Sequence, residues 1–109
     1  MPEPVTPLQS QLSQIDTAQP LPFALLHADD DITVILYHPQ GEDQQTPHDQ
    51  DEFYFIASGE AEFFIQGENR PVRTGDAVFV PAFAEHRFVA PSADFSCWAI
   101  FYGPRRKAD

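Results

Sequence analysis

The chain has 109 residues, 42% of them hydrophobic and 10 of them phenylalanine, so we expect a single domain with one aromatic-rich core. Its net charge of −11 at pH 7 repels phosphate backbones, and nucleic acid is therefore not an expected partner. No apolar run approaches the roughly 18 residues of a membrane span or follows a basic start, and the single cysteine cannot form an internal disulfide. We therefore expect a cytoplasmic protein with no membrane partner.

Residues 1–22 are predicted to form an N-terminal arm. They contain five of the chain's 11 prolines, and proline cannot donate a hydrogen bond to a strand ladder. Within the arm we predict one short helix, with Thr6 as its N-cap and Pro7 in the first helical position. Apolar residues at spacings of four and three form a single stripe: Leu8, Leu12 and Ile15. We expect this stripe to cover the outside of a barrel or to contact a second subunit.

From Phe23 onward the pattern changes to short apolar or alternating runs separated by turn residues, at intervals of about eight to twelve residues. Such a pattern is typical of a β-sandwich or barrel, and we predict seven or eight strands. The candidate segments are 23–28, 31–38, 44–48, 52–58, 60–66, 70–73, 77–81, 86–90 and 95–102. Residues 103–109 follow as a C-terminal tail, whose basic residues are expected to be solvated.

The segment His48-Asp49-Gln50-Asp51-Glu52 contains the first candidate site residues. In a straight strand His48 and Glu52 would share a face but lie about 13 Å apart at about 3.3 Å per residue, too far apart to bind one metal ion. The three residues between them are good turn formers, so we predict a bend that brings the two side chains together. Thr46 lies two residues before His48 and is expected to point to the same face.

A second block, residues 75–86, comprises a turn, a short apolar strand, a proline and a histidine that opens the next strand. Together the two blocks resemble the two motifs of the cupin family. Residues 48–59 match the end of the first motif, H-x3-E-x6-G, and residues 75–86 match the second motif as G-x5-P-x4-H. The resemblance implies an all-β fold, an antiparallel jelly-roll barrel over residues 23–102, and it implies a homodimer.

Three positions depart from the family motifs, which have a histidine, a glycine and an asparagine there: Thr46, Phe83 and Ala90. The remaining ligand set, His48, Glu52 and His86, has two imidazoles and one carboxylate. This is the composition of the facial triad, which leaves positions open for substrate and oxygen on non-haem Fe(II). We therefore predict one divalent metal ion, with iron, manganese, zinc and nickel as candidates. The alternative is a barrel without metal, in which both histidines only hydrogen-bond Glu52.

Spacing by two from the predicted ligands gives the expected lining of the pocket: Thr46, Tyr54, Ile56 and Phe88. Phe53 and Phe55 alternate with these residues and should face outward, towards the arm or a partner subunit. The expected ligand is a small molecule. Two functions stay open, an enzyme with a mononuclear metal site, for instance a dioxygenase, and a non-catalytic module that binds a small ligand or a metal.

Overall fold

The computed structural model of the protein describes residues 4–107 and contains one short helix and eight strands. The helix α1 spans Leu8–Leu12. The strands are β1 Phe23–Ala28, β2 Ile32–Tyr37, β3 Asp51–Ser58, β4 Glu60–Ile65, β5 Glu68–Arg73, β6 Ala77–Val80, β7 His86–Val89 and β8 Ser96–Tyr102. In the described part of the chain, no helix has the length and hydrophobicity needed to cross a membrane.

The strands form two antiparallel sheets. One has the order β1-β2-β8-β3-β6, and the other has the order β5-β4-β7. Strands that are distant in sequence, such as β2 and β8, are neighbours, as the strand order of a jelly roll requires. Tyr54 of the first sheet packs edge-on against Phe63 of the second, with ring centroids 5.9 Å apart, so the core lies between the sheets. The predicted antiparallel jelly-roll barrel is confirmed.

Strand β3 shows how the sheet separates its two faces. Glu52, Tyr54 and Ile56 are buried on the side of the core, whereas Phe53 is half-buried and Phe55 is exposed on the other side. This alternation follows from the pleat, which turns successive side chains to opposite faces. One strand thus carries site residues inside and an aromatic surface outside.

Segment 44–48, predicted as a strand, is instead part of the loop between β2 and β3. Asp43, a buried residue immediately before this segment, offers hydrogen-bond acceptors that compete with pairing to another strand. Gln45 donates to the Asp43 carboxylate from its backbone nitrogen at 3.3 Å and from Nε2 at 2.6 Å. A side chain that offers acceptors to the local backbone favours a turn over a ladder. The other candidate segments all contain strands close to their predicted bounds.

The helix of the arm begins later than predicted. Pro7, rather than Thr6, is the N-cap, with extended backbone angles (φ −64°, ψ 141°) and no capping hydrogen bond from its side chain, since proline has no group to donate or accept. The residue that ties the helix to the barrel is Gln11, which is buried and donates from Nε2 to the carbonyl oxygen of Ala24 in β1 at 3.3 Å. The arm therefore packs on the outside of the barrel, next to its first strand.

Candidate metal centre

Three side chains from separate parts of the chain meet inside the barrel. His48 lies in the loop before β3, Glu52 lies in β3, and His86 opens β7 of the other sheet. Glu52 Oε1 is 2.9 Å from His48 Nε2 and 3.5 Å from His86 Nε2, and all three donor atoms lie within 4.8 Å of one another. Two ligands at about 2.1 Å from one ion are separated by about 3.0–3.4 Å at octahedral or tetrahedral angles. The two distances from Glu52 are therefore close to those expected around a single ion.

Both imidazoles are oriented by their second nitrogen. His48 Nδ1 is 2.9 Å from the carbonyl oxygen of Gln50, and His86 Nδ1 is 2.8 Å from that of Ala84. A carbonyl oxygen can only accept, so each Nδ1 carries a proton, and each ring in its neutral form would present the lone pair of Nε2 to the site. Metal-binding histidines are commonly held in this way by a backbone carbonyl.

The Nε2 atom of His86 is the second notable feature of the cluster. His86 Nε2 is buried, and among the described residues no group forms a hydrogen bond with it, because Glu52 Oε1 at 3.5 Å does not meet the geometry of one. A buried nitrogen left without a partner costs about 1–3 kcal/mol. The Glu52 side chain is only 1% exposed, and its carboxylate lies 2.9 Å from His48 Nε2. Both residues fit a bound divalent metal.

The pair formed by His48 and Glu52 binds a proton in the absence of a cation. Burial lowers the pKa of His48, but the hydrogen bond that Glu52 accepts from it and the negative charge of Glu52 together raise this pKa by more, so it lies above its ordinary value. Because Nδ1 already donates to a carbonyl, the short contact between Nε2 and the carboxylate needs a proton between the two atoms. A metal ion would displace that proton, since only the neutral imidazole can ligate.

The two motif segments are hydrogen-bonded to each other. The backbone nitrogen of Phe83 donates to the carbonyl oxygen of His48 at 2.8 Å, and that of Ala82 donates to Asp51 Oδ1 at 2.9 Å. The predicted bend is present at residues 49–50, immediately before β3. The turn that leads to His86 is thus fixed directly on the bend that carries the other two side chains.

Two of the three departures from the family motifs occupy left-handed backbone positions. Phe83 has φ 69° and Ala90 has φ 51°, in the region where glycine and asparagine are favoured. The family's usual glycine and asparagine at these positions therefore have a conformational reason. In this chain Phe83 and Ala90 adopt the left-handed conformation although their side chains make it strained. At Phe83 this conformation directs the backbone N–H group to the carbonyl oxygen of His48.

In the described part of the C-terminal tail, residues 103–107, the basic side chains are exposed, as expected from the sequence, but two of them also form ion pairs with the bend. Arg105 Nη1 is 2.7 Å from Asp49 Oδ1, and Arg106 Nη2 is 2.9 Å from Asp51 Oδ2. The backbone nitrogen of Arg106 also donates to the carbonyl oxygen of Asp49 at 2.7 Å. The tail therefore lies across the bend between two candidate ligands, because the acidic residues of the bend attract its guanidinium groups.

A cavity of about 300 Å³ opens onto the cluster from one side of the barrel. Its lining comprises Leu21, Phe23, Thr33, Ile35, Tyr37, Gln45, Thr46, His48, Glu52, Tyr54, Ala99 and Phe101. Two of the four residues expected at the pocket, Thr46 and Tyr54, belong to this lining. Ile56 and Phe88 do not, because they lie further along β3 and β7, where the sheets close and both side chains are buried in the core.

One wall of the cavity was not predicted from the sequence. Tyr37 donates from its hydroxyl to the Asp43 carboxylate, and Tyr54 donates from its hydroxyl to Gln45 Oε1 at 2.9 Å. Asp43 Oδ2 also accepts from the backbone nitrogen of Phe88 at 2.8 Å and so joins the loop to the second sheet. The alternation of Thr33, Ile35 and Tyr37 in β2 is the signal that could have identified part of this wall. Nothing in the local pattern points to Asp43.

The comparisons with known proteins agree on the architecture. The family model of the cupin domain matches residues 33–101. An uncharacterised protein of Streptomyces coelicolor is 40% identical over 62 residues, which are 57% of this chain and 59% of that protein, so the match spans little more than half of that relative.

Three solved structures are similar to this chain in fold. A Cupin 2 conserved barrel domain protein from Salinispora arenicola has a TM-score of 0.72 at 20% identity, over 94% of this chain and 91% of that one. KdgF from Halomonas sp. has a TM-score of 0.70 at 22% identity, over 84% and 87% of the two chains. DMSP lyase DddQ from Ruegeria pomeroyi has a TM-score of 0.63 at 26% identity, over 79% of this chain and 49% of that one.

Proposed function

The chain belongs to the cupin domain family, and from that premise we propose that it binds one divalent metal ion through His48, Glu52 and His86 and acts there on a small molecule. The observation that carries the proposal is the buried Nε2 atom of His86, which has no hydrogen-bond partner among the described residues and faces the Glu52 carboxylate. Iron, manganese, zinc or nickel fits a set of two imidazoles and one carboxylate. When bound, the ion supplies Lewis acidity and, if it is iron or manganese, redox chemistry.

The residues of the centre have separate tasks. His48 and His86 present neutral Nε2 lone pairs, because their Nδ1 protons are held by backbone carbonyls. Glu52 adds the negative charge that a buried divalent cation needs. Thr46 lines the cavity but is not assigned as a ligand, since a neutral hydroxyl is a weak ligand beside imidazole or carboxylate. Three protein ligands leave coordination positions open towards the cavity.

The first candidate activity is oxidation of a small molecule by dioxygen, for which the open positions would take both reactants. The similarity to DMSP lyase DddQ makes a lyase a related candidate with the same ligand set. A binding module without turnover is supported by a different observation. The Tyr54 hydroxyl and the Gln45 amide bond to each other, so the wall offers few free acid or base groups beyond the ligands themselves.

The test is the metal content of the purified protein and of two variants. We expect one equivalent in the wild type and none in His86→Ala, because this substitution removes a buried ligand. His27→Ala is the matched control, since His27 is exposed on β1 and should leave the metal in place. Wild-type protein that takes up no divalent metal, or a His86→Ala variant that keeps a full equivalent, would contradict the proposal. A redox-active metal would favour oxygen chemistry, and zinc would favour the lyase or the binding module.

The homodimer stays a prediction, and we propose the outer face of the five-stranded sheet as its interface. Phe53 stacks on Phe55 and Tyr102 there, with ring centroids 6.1 and 5.7 Å apart, and lies 5.2 Å from Phe79. Phe55 and Phe79 are both more than one-third exposed. A second copy could cover such a face with the same aromatic residues, because a twofold interface uses one patch twice.

A further inference from the structure

The cavity beside the candidate metal centre has a marked chemical polarity. Most of its lining is formed by apolar side chains, among them Ile35, Ala99 and Phe101, and its two candidate metal ligands, His48 and Glu52, lie next to each other at 2.9 Å. A volume of about 300 Å³ is at the lower end of the range for small-molecule pockets. The shape and lining therefore suit a small molecule with an apolar body and one polar end.

The phenol and amide groups of the side wall are already used within the protein. Tyr37 donates its hydroxyl proton to Asp43, Tyr54 donates to Gln45, and Gln45 Nε2 donates to Asp43 at 2.6 Å. A ligand thus meets a wall that is neutral and largely satisfied, and its strong polar contacts must be made at the metal end.

The cationic side chains are all placed elsewhere. The sequence has 6 Lys and Arg residues, all within the described residues 4–107, and none of them lines this cavity. Four of the arginines form ion pairs on the outside: Arg70, Arg87, Arg105 and Arg106. A phosphate or sulfonate on the body of a ligand would therefore be desolvated without a counter-charge, which is strongly unfavourable.

The entrance of the cavity is apolar as well. Leu21 and Phe23 belong to its lining, yet they are 38% and 49% exposed. Leu25, two residues further along β1, is 56% exposed but does not line the cavity. Two exposed apolar side chains at the rim can close over the body of a bound molecule, and this would bury surface that is otherwise in water.

We propose that this site selects a small ligand with an uncharged, apolar body and adjacent oxygen donors at one end, and that it rejects phosphorylated or sulfonated molecules. The inference rests on the proposed metal function, because the oxygen donors are meant to ligate the ion. Leu21 and Phe23 are assigned as specificity-determining residues that contact the apolar body.

A matched pair of probes tests the selection on zinc-loaded protein, where no redox reaction interferes. Catechol and its 3,5-disulfonate have the same pair of adjacent oxygens, but only the second has a charged body. We expect calorimetric titration to show catechol binding at least about tenfold more tightly, with zinc still bound at the end. Phe23→Ala and Leu21→Ala should each lower the affinity for catechol by about three- to tenfold, because apolar contact is lost. Leu25→Ala should leave this affinity unchanged. Leu21 precedes β1, so its variant tests the rim without altering a strand.

The possible outcomes separate the two proposals. If zinc binds but the disulfonate binds as tightly as catechol, or both rim variants leave the affinity for catechol unchanged, the ligand class is wrong and the metal site stands. If zinc does not bind, the metal function is wrong, and the apoprotein is titrated with toluene and benzenesulfonate, which need no metal. Selection for toluene that Phe23→Ala reduces would support the neutral cavity, and equal or absent binding of the two would overturn it as well.

Discussion

The inner and outer faces of β3 each have one residue that departs from the usual distribution of residues. On the inner face of β3 the carboxylate of Glu52 is 1% exposed, whereas on the outer face the ring of Phe55 is 43% exposed. Charged groups are rarely buried without a partner, and large aromatic rings are usually covered. The contrast teaches that a buried charge and an exposed aromatic surface lie on opposite faces of one strand, so the two faces can be tested separately. In the proposed function the inner face is completed by a cation and the outer face by a second copy of the chain.

The inner face is tested most strongly by Glu52→Gln, which keeps the shape of the side chain and removes its charge. We expect the affinity for zinc to fall at least about a hundredfold, because loss of a ligand exceeds the ten- to hundredfold effect of losing a supporting residue. Competition with a chromogenic chelator measures it. Glu62→Gln, at an exposed position of β4, is the control and should bind zinc as the wild type does. Equal affinity in the two variants would remove Glu52 from the ligand set.

The outer face is tested by Phe55→Glu. A carboxylate in the centre of an aromatic interface should raise the dimer dissociation constant by about a hundredfold, since buried aromatic residues dominate such interfaces. Sedimentation at micromolar concentration measures this change. Phe64→Glu is the control, because Phe64 lies on the other sheet, where Arg87 lies 4.3 Å above its ring. A wild-type protein that sediments as a monomer would refute this interface outright.

The pH dependence distinguishes a proton from a metal ion on the inner face. Because the pKa of folded His48 is raised, its contribution to the stability of the apoprotein is complete below about pH 6.5 and is lost as the pH rises through the raised value. The affinity for zinc should instead decrease as the pH falls, by up to about tenfold per pH unit below that pKa, because only the neutral imidazole binds the metal. Urea unfolding at pH 5.5 and 8.5, with and without zinc, measures both trends. In Glu52→Gln the ion pair with His48 is lost, so the stability of the apoprotein should depend less on pH. An identical apoprotein trend in this variant would assign the effect to other groups.

The tail connects the two faces, since Arg106 pairs with Asp51 on the outer side of the strand that carries Glu52. We expect Arg106→Gln to accelerate zinc dissociation by up to about fivefold, because an exposed ion pair contributes about 0–1 kcal/mol. The effect should shrink at high salt. Stopped-flow transfer of zinc to a chelator measures the rate. Arg70→Gln removes an ion pair with Glu68 far from the bend and should change nothing. Equal rates in both variants would mean that the tail does not position the ligands.

The smallest expected effect lies outside both faces, at the strained turn after β7. Ala90 is exposed with φ 51°, so Ala90→Gly should stabilise the fold by about 0.5–1 kcal/mol through relief of left-handed strain. Chemical denaturation measures it. Ala93→Gly, at an exposed turn position, should have no such benefit because Ala93 is not among the residues with positive φ. Stabilisation of the same size in both variants would argue against strain at Ala90.

Much of the fold could be predicted from the sequence because its signals are local. Alternation along β3 and the turn residues between strands depend on neighbours in the chain, and the strand bounds followed them closely. The bend between His48 and Glu52 was predictable for the same reason, since a straight strand cannot bring two side chains four residues apart to one ion. The prediction of a strand at 44–48 was wrong because Gln45 donates its hydrogen bonds to Asp43 and not to another strand. The burial of Asp43 depends on the rest of the barrel and could not be predicted locally.

By itself the sequence determined the class of fold, the two motif segments and the chemical identity of the three candidate ligands. Only the tertiary structure decided that Glu52 and His86, on different sheets, face each other, because closure of the barrel joins residues that no local pattern relates. It also decided the composition of the cavity, where Tyr37 and Phe101 come from strands that pair only in three dimensions. Burial is a property of the assembled sheets, so whether a polar group is satisfied, as in Tyr54, or left without a partner, as in His86, appears only there.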